Sequence, residues 1–259
     1  MPKLSLEDRV VFITGASSGI GAACAWAFAA EGARLLLAAR RVERIKKIEP
    51  ALRAAGAPSV HHFSLDVQDR PAVEKSLAAL PAEWQAIDVL VNNAGLSRGL
   101  DKLWEGKPED WDEMIDTNVK GLLYVTRAVV PGMVAAGRGH IVNLGSTAGE
   151  LAYPNGAVYC GTKAAVKLIN DGLRQDLLGT PVRVTSVEPG MVETEFSEVR
   201  FHGNKERAEK VYQNITPLTP EDVADAIVWA ATRPAHVNIA HVLMTTIDQA
   251  NSLMFNRRS

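Results

Sequence analysis

Short, continuous apolar runs rich in Val, Ile and Leu alternate along this chain with longer stretches whose apolar residues recur at helical spacing. Such runs suit strands buried on both faces of a parallel sheet, and the stretches between them suit the crossover helices that a parallel sheet requires. The pattern predicts strands at 10–13, 34–39, 59–67, 87–91, 139–146, 182–187 and 242–247. Helices are expected over 22–31, 42–55, from Pro71, over 108–136 (continuous or broken), and over 157–177 and 220–232. No repeat, low-complexity tract or linker interrupts the series, so residues 1–259 read as a single α/β domain. Between Met191 and Thr216 the chain is polar, charged and without strong periodicity. Long connections in compact domains are usually lids or binding loops, which makes about 190–216 the expected substrate loop.

Composition narrows the class of partner. With 47% apolar residues among 259, a large core is available. A net charge of −2 leaves no sequence-wide basic footprint, so a small molecule is the expected partner, not nucleic acid or an anionic membrane. The two cysteines, Cys24 and Cys160, fall in predicted helices and read as reduced packing residues. Cys160 adjoins Tyr159, but helix neighbours diverge by about 100°, so it is not expected to share a site with it. Six histidines show no ligand spacing, and adjacent His61 and His62 alternate across a strand; no metal site is expected. Neither a signal-peptide run nor an uncharged apolar stretch long enough to span a bilayer is present, and a soluble, cytoplasmic protein is expected.

Candidate chemistry gathers at strand ends. After the first strand comes Thr14-Gly15-Ala16-Ser17-Ser18-Gly19-Ile20-Gly21, and then a helix. In that order glycines let the backbone approach a diphosphate, and the helix N-terminus offers free N–H groups. About 20 residues on, where an acid would hold the ribose 2′-hydroxyl of NAD, stand Arg40 and Arg41. With Ser17 they suit the 2′-phosphate of NADP, although they could simply be a solvated start to the next helix. Asp66 could face the adenine or cap the helix from Pro71. Asn92-Asn93-Ala94-Gly95 is a small, amide-rich turn on the same edge. Asn118 sits mid-helix, where a short amide is not favoured. Tyr159 and Lys163, four apart on a helix, can converge on one point, with the Ser146 hydroxyl at the preceding strand end. A phenol with a depressed pKa exchanges protons, and a hydroxyl can steady a developing oxyanion.

Together, the glycine loop, Asn92-Asn93-Ala94-Gly95, Asn118, Ser146, Tyr159-x-x-x-Lys163 and Pro189-Gly190 resemble the short-chain dehydrogenase/reductase family over essentially the whole chain. The resemblance implies a Rossmann-type, doubly wound parallel sheet of seven strands and assembly into homotetramers through the two long helices. Those helices carry apolar faces (Leu122, Val125, Val129 and Val166, Ile169, Leu173) that could equally cover the sheet. It also implies roles: Tyr159 exchanges the proton, Lys163 lowers its pKa and holds the nicotinamide ribose, Ser146 polarises the carbonyl, and Asn118 holds a water of the proton relay. Cofactor contacts are expected from Gly15, Ser17, Ser18, Gly19, Ile20 and Gly21 in the loop and from Arg40, Arg41, Asp66 and Val67 beyond it. Further contacts would come from Asn92, Ala94, Gly95, Tyr159, Lys163, Pro189, Gly190, Val192 and Thr194.

A narrower resemblance lies in Leu80-Pro81-Ala82-Glu83-Trp84, Met114-Ile115-Asp116-Thr117-Asn118, Gly145-Ser146-Thr147-Ala148-Gly149, the segment from Thr194 to Phe201 and the segment from Pro234 to Ile239. These look like the NADP-dependent 3-hydroxy acid dehydrogenases, including serine 3-dehydrogenases. The implied substrates are 3-hydroxypropionate, 3-hydroxyisobutyrate, serine or the matching semialdehyde, bound by Ser146 and Tyr159. A carboxylate partner is then needed, and Arg98 and Arg200 are the candidates, with surface solvation the plain alternative for either. A general ketone or aldehyde reductase, or a non-catalytic NADP-binding sensor, would share the fold; the sensor predicts a damaged catalytic set, whereas Asn118, Ser146, Tyr159 and Lys163 are all present. No motif reads the tail from Gln249, which could finish a subunit contact or reach a neighbouring site.

Overall fold

Alternation within the apolar runs sets the architecture. In β1 (Val10–Thr14), Val11 and Ile13 join one buried layer while Val10 and Phe12 join the other. β2 (Arg34–Ala39) divides the same way, Leu35 and Leu37 against Leu36 and Ala38. A strand buried on both faces needs apolar residues at every position, which is why these runs do not alternate with polar ones. With β3 (Val60–Ser64), β4 (Val89–Asn92), β5 (Gly139–Leu144), β6 (Val182–Pro189) and β7 (His241–Met244) they form one all-parallel sheet, in the order β3-β2-β1-β4-β5-β6-β7. The computed structural model describes residues 3–258.

Helices cover both faces, giving the doubly wound Rossmann-type arrangement. On one side α1 (Gly19–Ala30) and α2 (Val42–Ala54) bury Cys24, Phe28, Ile45 and Leu52. On the other lie α3 (Arg70–Ala78) and the short α4 (Ala82–Gln85), burying Val73 and Trp84. Each fully buried Phe, Leu or Ile contributes about 1.5–3 kcal/mol, so these two layers carry most of the stabilising free energy. Asp69 caps α3, accepting from the Ala72 N–H at 3.0 Å. The alternative role considered for Asp66 therefore falls away: Asp66 accepts from the Gln68 N–H at 3.1 Å and faces the cleft described below.

The run from Pro108 to Ala136 is continuous over 29 residues. Its ends, α5 (Pro108–Ile115) and α6 (Leu122–Ala136), are joined by a π-helical turn, Asp116–Gly121, the kind of widened turn that often marks a functional site. By length and composition this run could cross a membrane, but Lys120 and Arg127 interrupt it on the exposed side. Its other side is buried, with Val125, Val129 and Met133 packed against the sheet. α7 (Ala157–Asp176) likewise buries Val166 and packs Leu173 inward. Of the named apolar faces, Val125, Val129 and Leu173 thus cover the sheet.

The segment expected to be a loop contains two helices, α8 (Phe196–Arg200) and α9 (Lys205–Tyr212), the second capped by Asn204. Both are too short to leave a periodic signal. α10 (Pro220–Ala231) opens with a Thr219–Asp222 capping box and packs along α1, burying Val223 and Ile227. The last strand stops at Met244 because the chain beyond it turns back to the substrate segment, where Asp248 accepts from the Thr216 N–H at 3.0 Å.

Candidate active site

Strand order reverses between β1 and β4, and ligands of open α/β sheets bind where such a reversal parts the strand ends. A cleft of about 1050 Å³ follows this edge. The glycine loop forms its floor, with Gly15 at φ +65° and Gly19 at φ +52°, a conformation that side chains with a Cβ disfavour. The amide turn after β4 zips onto it. Asn93 Nδ2 donates to the carbonyls of Thr14 and Gly15 at 2.9 and 3.2 Å, and the N–H groups of Asn93 and Ala94 donate to Thr14 Oγ1 at 3.1 Å. Gly21 stands behind this junction, where an added Cβ would lie 2.4 Å from both Gly15 O and Asn93 Nδ2. We expect Gly21→Ala to lower stability by about 1–3 kcal/mol through overpacking and to weaken NADP binding with it. Urea unfolding and cofactor titration check this; an unchanged midpoint would show that the junction yields freely.

Ser17, Ser18, Gly19 and Ile20 line the cleft at the N-terminus of α1, and Ser18 makes no side-chain cap bond there, which leaves the first N–H groups open to an anion. At the far end Arg41 donates to Ser18 Oγ at 2.9 Å, and Arg40 lies 4.0 Å from both Asp66 and Glu113. Val67, Ala94, Gly95, Pro189, Gly190, Val192 and Thr194 complete the wall. Thr194 sits over the loop, 3.3 Å from where a Cβ on Gly19 would be. Three expected residues do not reach the cleft surface: Gly21, Asn92 and Asn118. Asn92 is buried, donating to Thr126 Oγ1 and Asn143 Oδ1 at 2.9 Å each.

Tyr159, Ser146 and Lys163 do converge. Burial raises the Tyr159 phenol above its ordinary value, opposed by the charge of Arg200 and by the nearby Ser146 hydroxyl. Lys163 is buried beside it, its Nζ 6.0 Å from the Tyr159 ring centre and donating to the Leu144 carbonyl at 2.7 Å. Burial pushes the Lys163 ammonium down to about 8. The charge of Arg200 bears on the phenol, and Lys163 is held to the Leu144 carbonyl at the end of β5. Asn118, within the π turn, grips the Leu96 backbone from both sides: Oδ1 accepts from Leu96 N at 2.9 Å and Nδ2 donates to Leu96 O at 2.8 Å and to Thr162 Oγ1 at 3.1 Å. Its side chain fixes the turn that carries Gly95.

The two arginines proposed for a carboxylate differ. Arg98 lines the cleft but is engaged twice over by Glu113, at 2.6 and 3.0 Å, and donates to the Val199 carbonyl at 2.5 Å. Its hydrogen bond to Glu113 raises its own pKa and lowers that of Glu113. Arg98 is a tie between the Leu96–Gly99 turn and α8, as is the Gly99 N–H donating to the Arg200 carbonyl at 2.9 Å. Arg200 has no acidic partner among the described residues. Its guanidinium carbon lies 5.9, 5.3 and 5.1 Å from the ring centres of Tyr153, Tyr159 and Phe196, and Nη2 donates to the Tyr153 hydroxyl at 3.0 Å. Its Nε is buried without a hydrogen-bond partner.

Several cleft residues escaped the sequence reading. Arg44, one turn beyond Arg41 on α2, had a usable signal in the Arg-x-x-Arg spacing. Tyr153 and Phe196 had none beyond being aromatic near Tyr159 and Arg200. The tail returns to its own cleft, where Gln249, Ser252, Phe255 and Arg257 line one wall. Gln249 accepts from the Met191 N–H at 2.8 Å, and Arg257 donates to the Gln213 and Val211 carbonyls at 2.6 and 3.2 Å. Among the described residues no group of three acidic, His or Cys side chains has metal-binding geometry.

A glycine-floored cleft at the sheet's switch point, with a tyrosine, lysine and serine at one end and arginines at the other, defines a dinucleotide-dependent oxidoreductase. The chain belongs to the short-chain dehydrogenase family, whose model matches residues 9–205. It is 50% identical over 242 residues (93% of this chain, 96% of the relative) to the NADP-dependent 3-hydroxy acid dehydrogenase YdfG of Salmonella typhi. It is 44% identical over 240 residues (92% and 93%) to the NADP-dependent 3-hydroxy acid dehydrogenase of Schizosaccharomyces pombe. Among solved structures it is similar to the closed form of a serine dehydrogenase complexed with NADP+, with a TM-score of 0.90, 48% identity and coverage of 96% of this chain and 100% of the other. The protein is an NADP-dependent oxidoreductase acting on CH–OH groups.

Proposed function

We propose that the protein interconverts small 3-hydroxy acids, among them 3-hydroxypropionate, 3-hydroxyisobutyrate and serine, with their semialdehydes. The observation that carries this reading is Arg200: a guanidinium set among three aromatic rings beside Tyr159, with a buried donor that no protein group meets. A buried, unmatched donor is costly unless a ligand completes it, and a carboxylate matches a guanidinium fork. A substrate whose acid meets Arg200 presents its hydroxyl carbon toward Tyr159 and Ser146.

NADP fits the chain's own residues, since the N–H groups that open α1 carry no side-chain cap and Arg41 stands at the adenosine end; when bound it supplies the hydride acceptor or donor. Tyr159 takes or gives the proton of the substrate oxygen, and Ser146 donates to that oxygen as charge develops. Lys163 would hold the nicotinamide ribose. Asn118 keeps the Leu96 turn, and with it Gly95, in place. Exposed Leu123, Val134 and Leu168 on the outer sides of α6 and α7 support pairing of these helices between subunits of a homotetramer.

The test is steady-state oxidation with NADP+ of 3-hydroxybutyrate beside its methyl ester. The free acid is expected to have the higher kcat/KM by at least about tenfold, the lower limit for a charge-assisted contact. A better ester would make the enzyme a general carbonyl reductase.

A further inference from the structure

Glu195 begins α8 in the substrate segment, yet its carboxylate reaches the arginines that follow β2. Oε2 accepts from Arg41 Nη1 at 3.0 Å and Oε1 from Arg44 Nη1 at 2.6 Å. Partial burial opposes its charge, but the hydrogen bonds from Arg44 and Arg41 outweigh this and hold the carboxyl below its ordinary value. Glu195 is thus an anion at neutral pH. Arginine guanidinium groups bind carboxylates and phosphates alike, and here the two share one carboxylate, an oxygen to each. Arg41 also holds Ser18 Oγ at 2.9 Å, so the trio Ser18, Arg41 and Arg44 is organised around a negative group.

We propose that Glu195 is the resident anion of the 2′-phosphate subsite and, through it, a cofactor-specificity residue. The 2′-phosphate of NADP takes the arginine forks from the carboxylate; NAD, lacking that phosphate, leaves both pairs intact. Glu195 therefore narrows the preference for NADP over NAD that the arginines alone would give. Arg44 joins Arg41 as a phosphate contact. The inference rests on the reading of this end of the cleft as the adenosine end.

Calorimetric binding of NADP+, NAD+ and 2′,5′-ADP to the wild type, Glu195→Gln, Arg41→Ala and Arg44→Ala tests it. Glu195→Gln keeps the size of a half-exposed side chain and removes only its charge. It is expected to bind NADP+ and 2′,5′-ADP about three- to tenfold more tightly, the range for losing two competing surface ion pairs, with NAD+ unchanged. Unchanged or weaker binding of both phosphate-bearing ligands by Glu195→Gln, while Arg41→Ala still loses them, overturns the inference and leaves the adenosine-end reading intact. Wild-type affinity for NADP+ in both arginine variants sinks that reading, and the inference with it.

Discussion

Tyr159→Phe is expected to lower kcat by about 10²–10⁴-fold, the usual contribution of a positioned general acid or base, while NADP+ binds as it does to the wild type. The substitution removes one oxygen and keeps the ring that packs against Phe196 at 5.6 Å, so the wall of the cleft is preserved. The direction of the pH dependence follows from the phenol's surroundings. Burial raises its pKa, and Arg200 and Ser146 only partly offset this. For carbonyl reduction the protonated phenol is the ready form, and the rate is level below the phenol's pKa. For alcohol oxidation the phenolate must form first, and the rate climbs with pH. Paired pH profiles in the two directions, with the Phe variant as baseline, measure this. Residual activity within tenfold of wild type would mean that the proton leaves by another route.

Arg200→Ala is expected to reduce kcat/KM for free 3-hydroxy acids by about 10²-fold, because truncating one partner of a desolvated charge pair costs about 2–5 kcal/mol. The loss should fall mainly on KM, as befits a contact made equally before and during hydride transfer. One complication has a known sign. Removing the cation also raises the Tyr159 phenol further, slowing oxidation of every substrate, acid or not. The informative quantity is therefore the ratio of acid to methyl ester at one pH. A collapse of that ratio assigns the carboxylate to Arg200, whereas equal losses on both substrates would leave Arg200 as a modulator of Tyr159 alone.

The sheet was readable because each central strand is buried on two faces and must be apolar throughout, as in Leu35-Leu36-Leu37. The glycine loop and Tyr159-x-x-x-Lys163 were readable because their spacing is local. Features that depend on residues far apart in the chain were not. Nothing near Arg98 announces that Glu113 occupies it, and nothing near Arg41 announces Glu195, 154 residues on. Asn118 was marked as unusual in a helix, but the π turn around it and its grip on Leu96 arise only once α5 and α6 lie against the turn after β4. The capping alternative for Asp66 failed because α3 begins at Arg70, so the residue directly before it, Asp69, is the cap.

α8 has only five residues, yet the side chain just before it and the one that ends it engage different parts of the cleft: Glu195 the arginines that follow β2, Arg200 the rings around Tyr159. A change in the length of α8 alters the spacing between these two side chains and so disturbs both parts of the cleft at once, whereas a point substitution at either residue leaves the other in place.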